Sequence, residues 1–149
     1  MAKTVKVGDK APHFTSKDKD GNDFEYKGEM AVIFFYPKDE TAVCTKEACA
    51  FRDSYQDFSD KGVKVIGISG DSEESHQKFS AHHNLPYTLL SDTDSSLRKA
   101  FGVPKAMGLL PGRVTFVIDK EGIIRLVFSA MLESNKHVKK ALDVIAEFE

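Results

Sequence analysis

Residues 31–69 place the tightest constraint on the fold. Ala31-Val32-Ile33-Phe34-Phe35-Tyr36 is a continuous apolar run, rich in aromatic and β-branched residues and stopped by Pro37. That pattern marks a short strand buried on both faces. Residues 42–60 then carry Ala48, Phe51, Tyr55 and Phe58 at helical spacing, and Gly62 stands where a helix C-cap would. Residues 63–69 read as a second buried strand. Buried strand, helix and buried strand in succession commit this part of the chain to layered α/β architecture.

The flanks extend the same pattern. Phe14-Thr15-Ser16 and Phe24-Glu25-Tyr26 enclose an Asp/Gly/Asn turn, which predicts an N-terminal β-hairpin. Helices are expected over 71–84, 94–101 and 135–148, a strand over 87–90, and a second hairpin over 114–119 and 123–128. Strands interleaved with helices, plus an antiparallel pair near the end, predict a thioredoxin-like α/β fold: a mixed central sheet flanked by helices. With 149 residues and no repeat or linker, one domain over 1–149 is expected, large enough to bury its own core.

Charge narrows the partners. The chain has 21 basic and 23 acidic residues, a net charge of −2, so neither a nucleic-acid nor an anionic-membrane partner is expected. Its longest apolar run is residues 30–36, far short of the roughly 20 residues of a spanning helix, and no apolar leader opens it. A protein of a thiol-reducing compartment follows, cytoplasmic, or organellar after loss of a transit peptide. Asp18, Asp20, Asn22 and Glu29 follow part of a calcium-loop spacing, but Asp23 stands where glycine is needed, so a hairpin turn is the reading.

The chain has only two cysteines, Cys44 and Cys49. The strand at 31–36 feeds a loop and then the helix. If Thr41 is the N-cap, Cys44 falls in the first turn, where backbone N–H groups lack intrahelical acceptors and the helix dipole favours an anion. Thiolates are stabilised at such positions, and the thiolate is the nucleophilic form. Cys44 lies within the apolar stripe of the helix, whereas Cys49 falls about 140° around from it. In an intact helix their Cα atoms stand about 8.6 Å apart, beyond the roughly 7 Å a disulfide tolerates, so they can bond only if the first turns unwind. Three uses remain open on spacing alone: two small buried apolar residues, a metal site, or a redox pair. A metal site would need further ligands, and His76, His82 and His83 read as lying on a distant polar helix.

The residues around the cysteines carry a resemblance. Pro37-Lys38-Asp39-Glu40-Thr41-Ala42-Val43-Cys44 resembles the Pro-x-x-x-Thr-x-x-Cys signature of peroxiredoxins. The continuation through Cys49 to Asp53 is similar to the Q-type, or bacterioferritin-comigratory, branch. Val65-Ile66-Gly67-Ile68-Ser69, Leu85-Pro86-Tyr87-Thr88-Leu89-Leu90-Ser91-Asp92 and Leu110-Pro111-Gly112-Arg113 extend it over nearly the whole chain.

The resemblance implies a thiol-dependent peroxidase acting on hydrogen peroxide and organic hydroperoxides. Cys44 would be the peroxidatic residue and Cys49 the resolving one, with Thr41, Arg113 and Pro37 completing the catalytic site. It also implies an intramolecular Cys44–Cys49 disulfide recycled by thioredoxin or a similar dithiol reductant, no cofactor, no metal and a monomer. Each helper also has a plain structural use: Thr41 as an N-cap, Pro37 as a strand stop, and Arg113, one of four arginines, as a solvated residue after a turn. Ala42-Val43 stands where Q-type members commonly have Pro-Gly, so the loop is expected to sit differently. The alternative function is a peroxide sensor or chaperone-like binding protein on the same fold.

Overall fold

The computed structural model describes residues 5–103, 105–106 and 110–148; the side chains at 105–106 and 110–111 fall outside that description, as do residues 1–4, 104, 107–109 and 149 of the expected 1–149 domain. At its centre is a five-stranded mixed sheet in the order β5-β4-β3-β8-β9. Strands β3 (Ala31–Phe35), β4 (Lys64–Ser69) and β5 (Thr88–Ser91) run parallel. Strands β8 (Val114–Ile118) and β9 (Ile124–Ser129) continue the sheet antiparallel. The N-terminal hairpin pairs β1 (Phe14–Lys17) with β2 (Asp23–Tyr26) as a separate two-stranded sheet. The thioredoxin-like expectation is borne out.

All five residues of β3 are buried, and their alternation divides the core in two. Val32 and Phe34 join one cluster with Cys44, Ala48, Phe51, Phe58 and Phe79; it also takes Val138, Ala141 and Ile145 of α5 (Ser134–Ile145). Ala31, Ile33 and Phe35 join the other, with Tyr26, Leu97, Phe101 and Phe116. This period of two is what a strand buried on both faces requires. Gly67 of β4 marks how closely these layers approach: a Cβ there would lie 2.8 Å from both Leu89 Cδ2 and Phe34 Cζ.

Two expectations are corrected, and one short hairpin is added. The helix read over 42–60 is two helices, α1 (Ala42–Asp53) and α2 (Tyr55–Asp60). Ser54 sits between them at φ −101°, ψ 6°, donating its N–H to Ala50 O while its own carbonyl accepts from Asp57 and Phe58. The apolar spacing runs on across the break, so periodicity could not reveal it. Gly62, at φ +73°, closes α2 as expected. The helix read over 71–84 is α3 (Glu73–His83), and it is neither wholly polar nor distant from the cysteines: His76, Phe79 and Ser80 are buried, and its histidines meet the loop before α1. Two short strands, β6 (Lys105–Ala106) and β7 (Leu110–Pro111), pair with each other and carry no sequence signal of their own. The remaining helix, α4 (Ser96–Phe101), ends at Gly102 as read.

Candidate active site

The site forms where β3 gives way to α1. Pro37 follows the strand, half-buried, and Thr41 occupies the N-cap position with extended backbone. Ala42 and Val43 are the first two helical residues, and Cys44 is the third. The Thr41 hydroxyl does not cap the helix: it donates to Lys38 O at 2.8 Å. Where Q-type relatives commonly have Pro-Gly, Ala42 therefore stands at the helix position that tolerates proline best. Val43 is helical, and the left-handed residue of this loop is Glu40, at φ 61°.

Cys44 is 1% exposed, and Arg113 beside it is 3% exposed. Arg113 Nη2 donates to Cys44 Sγ at 3.0 Å, Nη1 to Glu47 Oε1 at 2.7 Å, and Nε to Met131 O at 2.9 Å. Burial opposes the guanidinium charge, but Glu47 and Cys44 more than offset it, so its pKa rises above the ordinary arginine value. The cation is thus fixed on the sulfur by two other contacts. Cys49 is half-buried on another face of α1, and both thiols are free. Burial pushes its pKa up, partly offset by Arg52. Of the sequence-read residues, the fold brings Cys44 and Arg113 into contact, sets Pro37 and Thr41 on the loop leading to them, and leaves Cys49 apart.

Several residues that sequence reasoning missed support this pair. Glu47 is fully buried, and burial pushes its carboxyl up to about 7 despite the opposing pull of Arg113. Among the described residues its Oε2 has no hydrogen-bond partner, and it lies 3.3 Å from His137 Nδ1. His137 is held by Thr115 Oγ1 at 2.7 Å and Ala130 O at 2.8 Å; burial lowers its pKa to about 4. Arg98 donates to Tyr36 O at 2.7 Å and Gly112 O at 3.2 Å, tying the end of β3 to the residue before Arg113. Tyr87 Oη donates to Ala48 O at 2.7 Å, anchoring α1 between its cysteines.

A second buried network fixes the loop. Asp39 accepts from Tyr36 Oη at 2.6 Å and Ser75 Oγ at 2.8 Å and faces His76 Nδ1 at 2.7 Å; its N–H donates to Asp71 Oδ2 at 2.8 Å. His76 Nε2 faces only the Leu90 carbonyl, at 3.0 Å, and so must carry hydrogen. The Nδ1 contact then needs a proton of its own, on His76 or on Asp39. Among the described residues, two groups have donors close enough to hold a metal: Asp39, Asp71 and His76 in this network, and Glu40, His82 and His83 at the surface. A surface cavity of about 800 Å³ lined by Met30, Asp119, Arg125, Val144 and Phe148 includes none of the site residues.

A thiol in the first turn of a helix, under a buried arginine on a thioredoxin-like sheet, is an arrangement suited to a thiol peroxidase. The chain belongs to the AhpC/TSA family, whose model matches residues 7–127, and is a thiol-dependent peroxidase of the peroxiredoxin kind, using a peroxide and a thiol reductant. It is 47% identical to the chloroplastic peroxiredoxin Q of Sedum lineare over 149 residues, covering 97% of this chain and 80% of that protein. Peroxidoxin BcpB of Mycobacterium tuberculosis superposes with a TM-score of 0.88 at 33% identity, over 97% of this chain and 99% of that one. Peroxiredoxin Q of Xanthomonas campestris gives 0.82 at 28% identity, over 90% of each. These relatives favour the peroxidase over the sensor alternative. Among the described residues, no helix is long and apolar enough to cross a membrane.

Proposed function

We propose that Cys44 is the peroxidatic and Cys49 the resolving cysteine of a two-cysteine cycle recycled by thioredoxin. The Cys44 thiolate attacks the terminal oxygen of a peroxide; the O–O bond breaks, and the released alkoxide or hydroxide takes a proton to leave as alcohol or water. Cys44 is left as a sulfenic acid. Cys49 sulfur then attacks Cys44 sulfur, the S–OH bond breaks, and water leaves with the thiol proton. A dithiol reductant donates two electrons and two protons to restore both thiols.

What carries this reading is the 3.0 Å contact from Arg113 Nη2 to Cys44 Sγ. A guanidinium held there can stabilise charge on the sulfur and then on the leaving oxygen. The Thr41 hydroxyl, turned from Lys38 O toward the substrate, and the N–H groups of the first turn of α1 bind the peroxide oxygens, and Pro37 shields the sulfur from water. The 8.6 Å or so between the Cα atoms of the two cysteines in an intact helix requires α1 to unwind before the second step. The chain acts as one monomeric domain in the cytoplasm or in an organelle, and hydrogen peroxide and organic hydroperoxides are its substrates.

Mass measurement after one equivalent of peroxide tests the cycle. Wild type is expected to lose about 2 Da, and Cys49→Ser to gain about 16 Da as a sulfenic acid. A Cys44→Ser protein that retained full peroxide turnover would refute the assignment.

A further inference from the structure

The loop before Cys44 is fastened to α3 at the surface as well as in the core. Glu40 takes a left-handed backbone, φ 61°, which is uncommon for a residue with a side chain and costs energy unless its surroundings hold it. That conformation accompanies a carboxylate shared between two imidazoles: Oε2 lies 3.0 Å from His82 Nδ1, and Oε1 lies 2.9 Å from His83 Nε2. Consecutive helical residues project about 100° apart, so their rings do not ordinarily converge. Here His82 offers its near ring nitrogen and His83 its far one, with ring centroids 4.2 Å apart. Arg52 fixes the backbone of His83 through its carbonyl at 2.7 Å.

Two neutral imidazoles and a carboxylate form a donor set that suits zinc. One atom from each of the three lies within 4.8 Å of the others. A tetrahedral zinc ion with bonds of roughly 2.0 to 2.1 Å needs ligand atoms about 3.3 Å apart, close to the 3.0 and 2.9 Å at which the two Glu40 oxygens face His82 Nδ1 and His83 Nε2. Glu40 is exposed and His82 more so, which leaves room for water as a fourth ligand. Binding moves the protons now facing Glu40 to the opposite ring nitrogens or to solvent and replaces two hydrogen bonds with metal bonds.

We propose that Glu40, His82 and His83 form a binding site for a divalent transition metal of the zinc class, which clamps the loop before Cys44 to the end of α3 and slows formation of the Cys44–Cys49 disulfide. The second half rests on the cycle proposed above. Glu40 stands four residues before Cys44, so unwinding the first turn of α1 pulls on it. A metal bond there opposes that movement, while attack of Cys44 on peroxide, which needs the folded helix, proceeds unchanged.

Isothermal titration of reduced, metal-free protein with zinc chloride tests the site. One zinc per chain is expected, with affinity weakened at least about tenfold in His82→Ala and in Glu40→Gln and retained in Cys49→Ser. No binding at micromolar zinc, affinity unchanged in the first two variants, or loss in Cys49→Ser would overturn the site. Quenched mass measurement then follows the disulfide: saturating zinc is expected to slow it several-fold in wild type and to leave His82→Ala unaffected. Zinc that binds as described without changing the wild-type rate overturns the clamp. If metal-free protein forms no disulfide at all, the parent cycle fails, and the titration still decides the site.

Discussion

Arg113 reaches Cys44 across 69 positions of sequence and donates to its sulfur at 3.0 Å. Because Glu47 Oε1 and Met131 O take the other nitrogens, the guanidinium cannot swing away. Removing one preorganised donor from a developing anion costs roughly 10² to 10³ in rate. Arg113→Gln is expected to slow oxidation of Cys44 by that amount. Arg113→Lys should recover only part, since an ammonium cannot serve three fixed acceptors in one plane. Stopped-flow measurement of single-turnover oxidation decides this; a rate within threefold or so of wild type in Arg113→Gln would sink it.

The buried Glu47 and His137 exchange roles on folding. Their ordinary pKa values are 4.5 and 6.5, and in the folded protein burial pushes them to about 7 and about 4. Glu47 is raised, so its contribution to stability falls as pH rises between roughly 4.5 and 7; His137 is depressed, so its contribution falls as pH drops from roughly 6.5 to 4. In the shared window folding adds a proton at one and removes one at the other, and the two slopes cancel. Glu47→Gln unmasks His137: relative to wild type, stability should gain a slope of up to about 1.4 kcal/mol per pH unit, rising with pH. His137→Asn should gain a similar slope of opposite sign. Urea denaturation at about pH 5 and 6 measures both, and parallel lines for the three proteins would contradict the exchange.

The legibility of this site follows sequence distance. Cys44 at the mouth of a helix could be read because its signals are local: an apolar run, Pro37, then Thr41 and a helical stripe. Arg113 needed a resemblance, since nothing near it in sequence says that a turn before β8 arrives beside α1. Nothing local to Glu47 signals that it is buried; only tertiary packing brings it to Arg113 and His137. The histidines of α3 meet this loop for a topological reason that sequence spacing does not carry. Strands β3 and β4 run parallel, so the loop after β3 and the turn into α3 emerge at the same end of the sheet. There Ser75 and His76 meet Asp39.

That meeting predicts an unequal pair of substitutions. Asp39→Ala takes away the carboxylate shared by Tyr36 Oη, the half-buried Ser75 Oγ and His76 Nδ1, leaving Tyr36 Oη and Nδ1 to each other at 3.4 Å, at a cost of about 3 kcal/mol. Asp39→Asn can donate an N–H to His76 Nδ1 and keep an acceptor for Tyr36, so it should cost about 2 kcal/mol or less. Urea midpoints give the comparison, and hydrogen exchange over 37–41 should rise in the alanine variant alone. Equal costs would mean that no proton lies between Asp39 and His76.

Oxidation should loosen α1 and stop at Ser54. The disulfide must draw the Cα atoms of Cys44 and Cys49 from about 8.6 Å to under about 7 Å, which intact α1 forbids. Helix α2 begins afresh after Ser54, with Phe58 buried in the core, so it has no need to follow. Amide exchange should therefore rise within residues 42–53 of the disulfide form and stay unchanged over 55–60. Tyr87 Oη restrains this movement through Ala48 O. Tyr87→Phe removes one hydrogen bond, worth about 1 kcal/mol, and is expected to speed disulfide formation up to about fivefold while leaving the first oxidation step alone. Exchange that rises equally in both helices, or a Tyr87→Phe rate equal to wild type, would show that the unwinding is neither bounded at Ser54 nor opposed at Ala48.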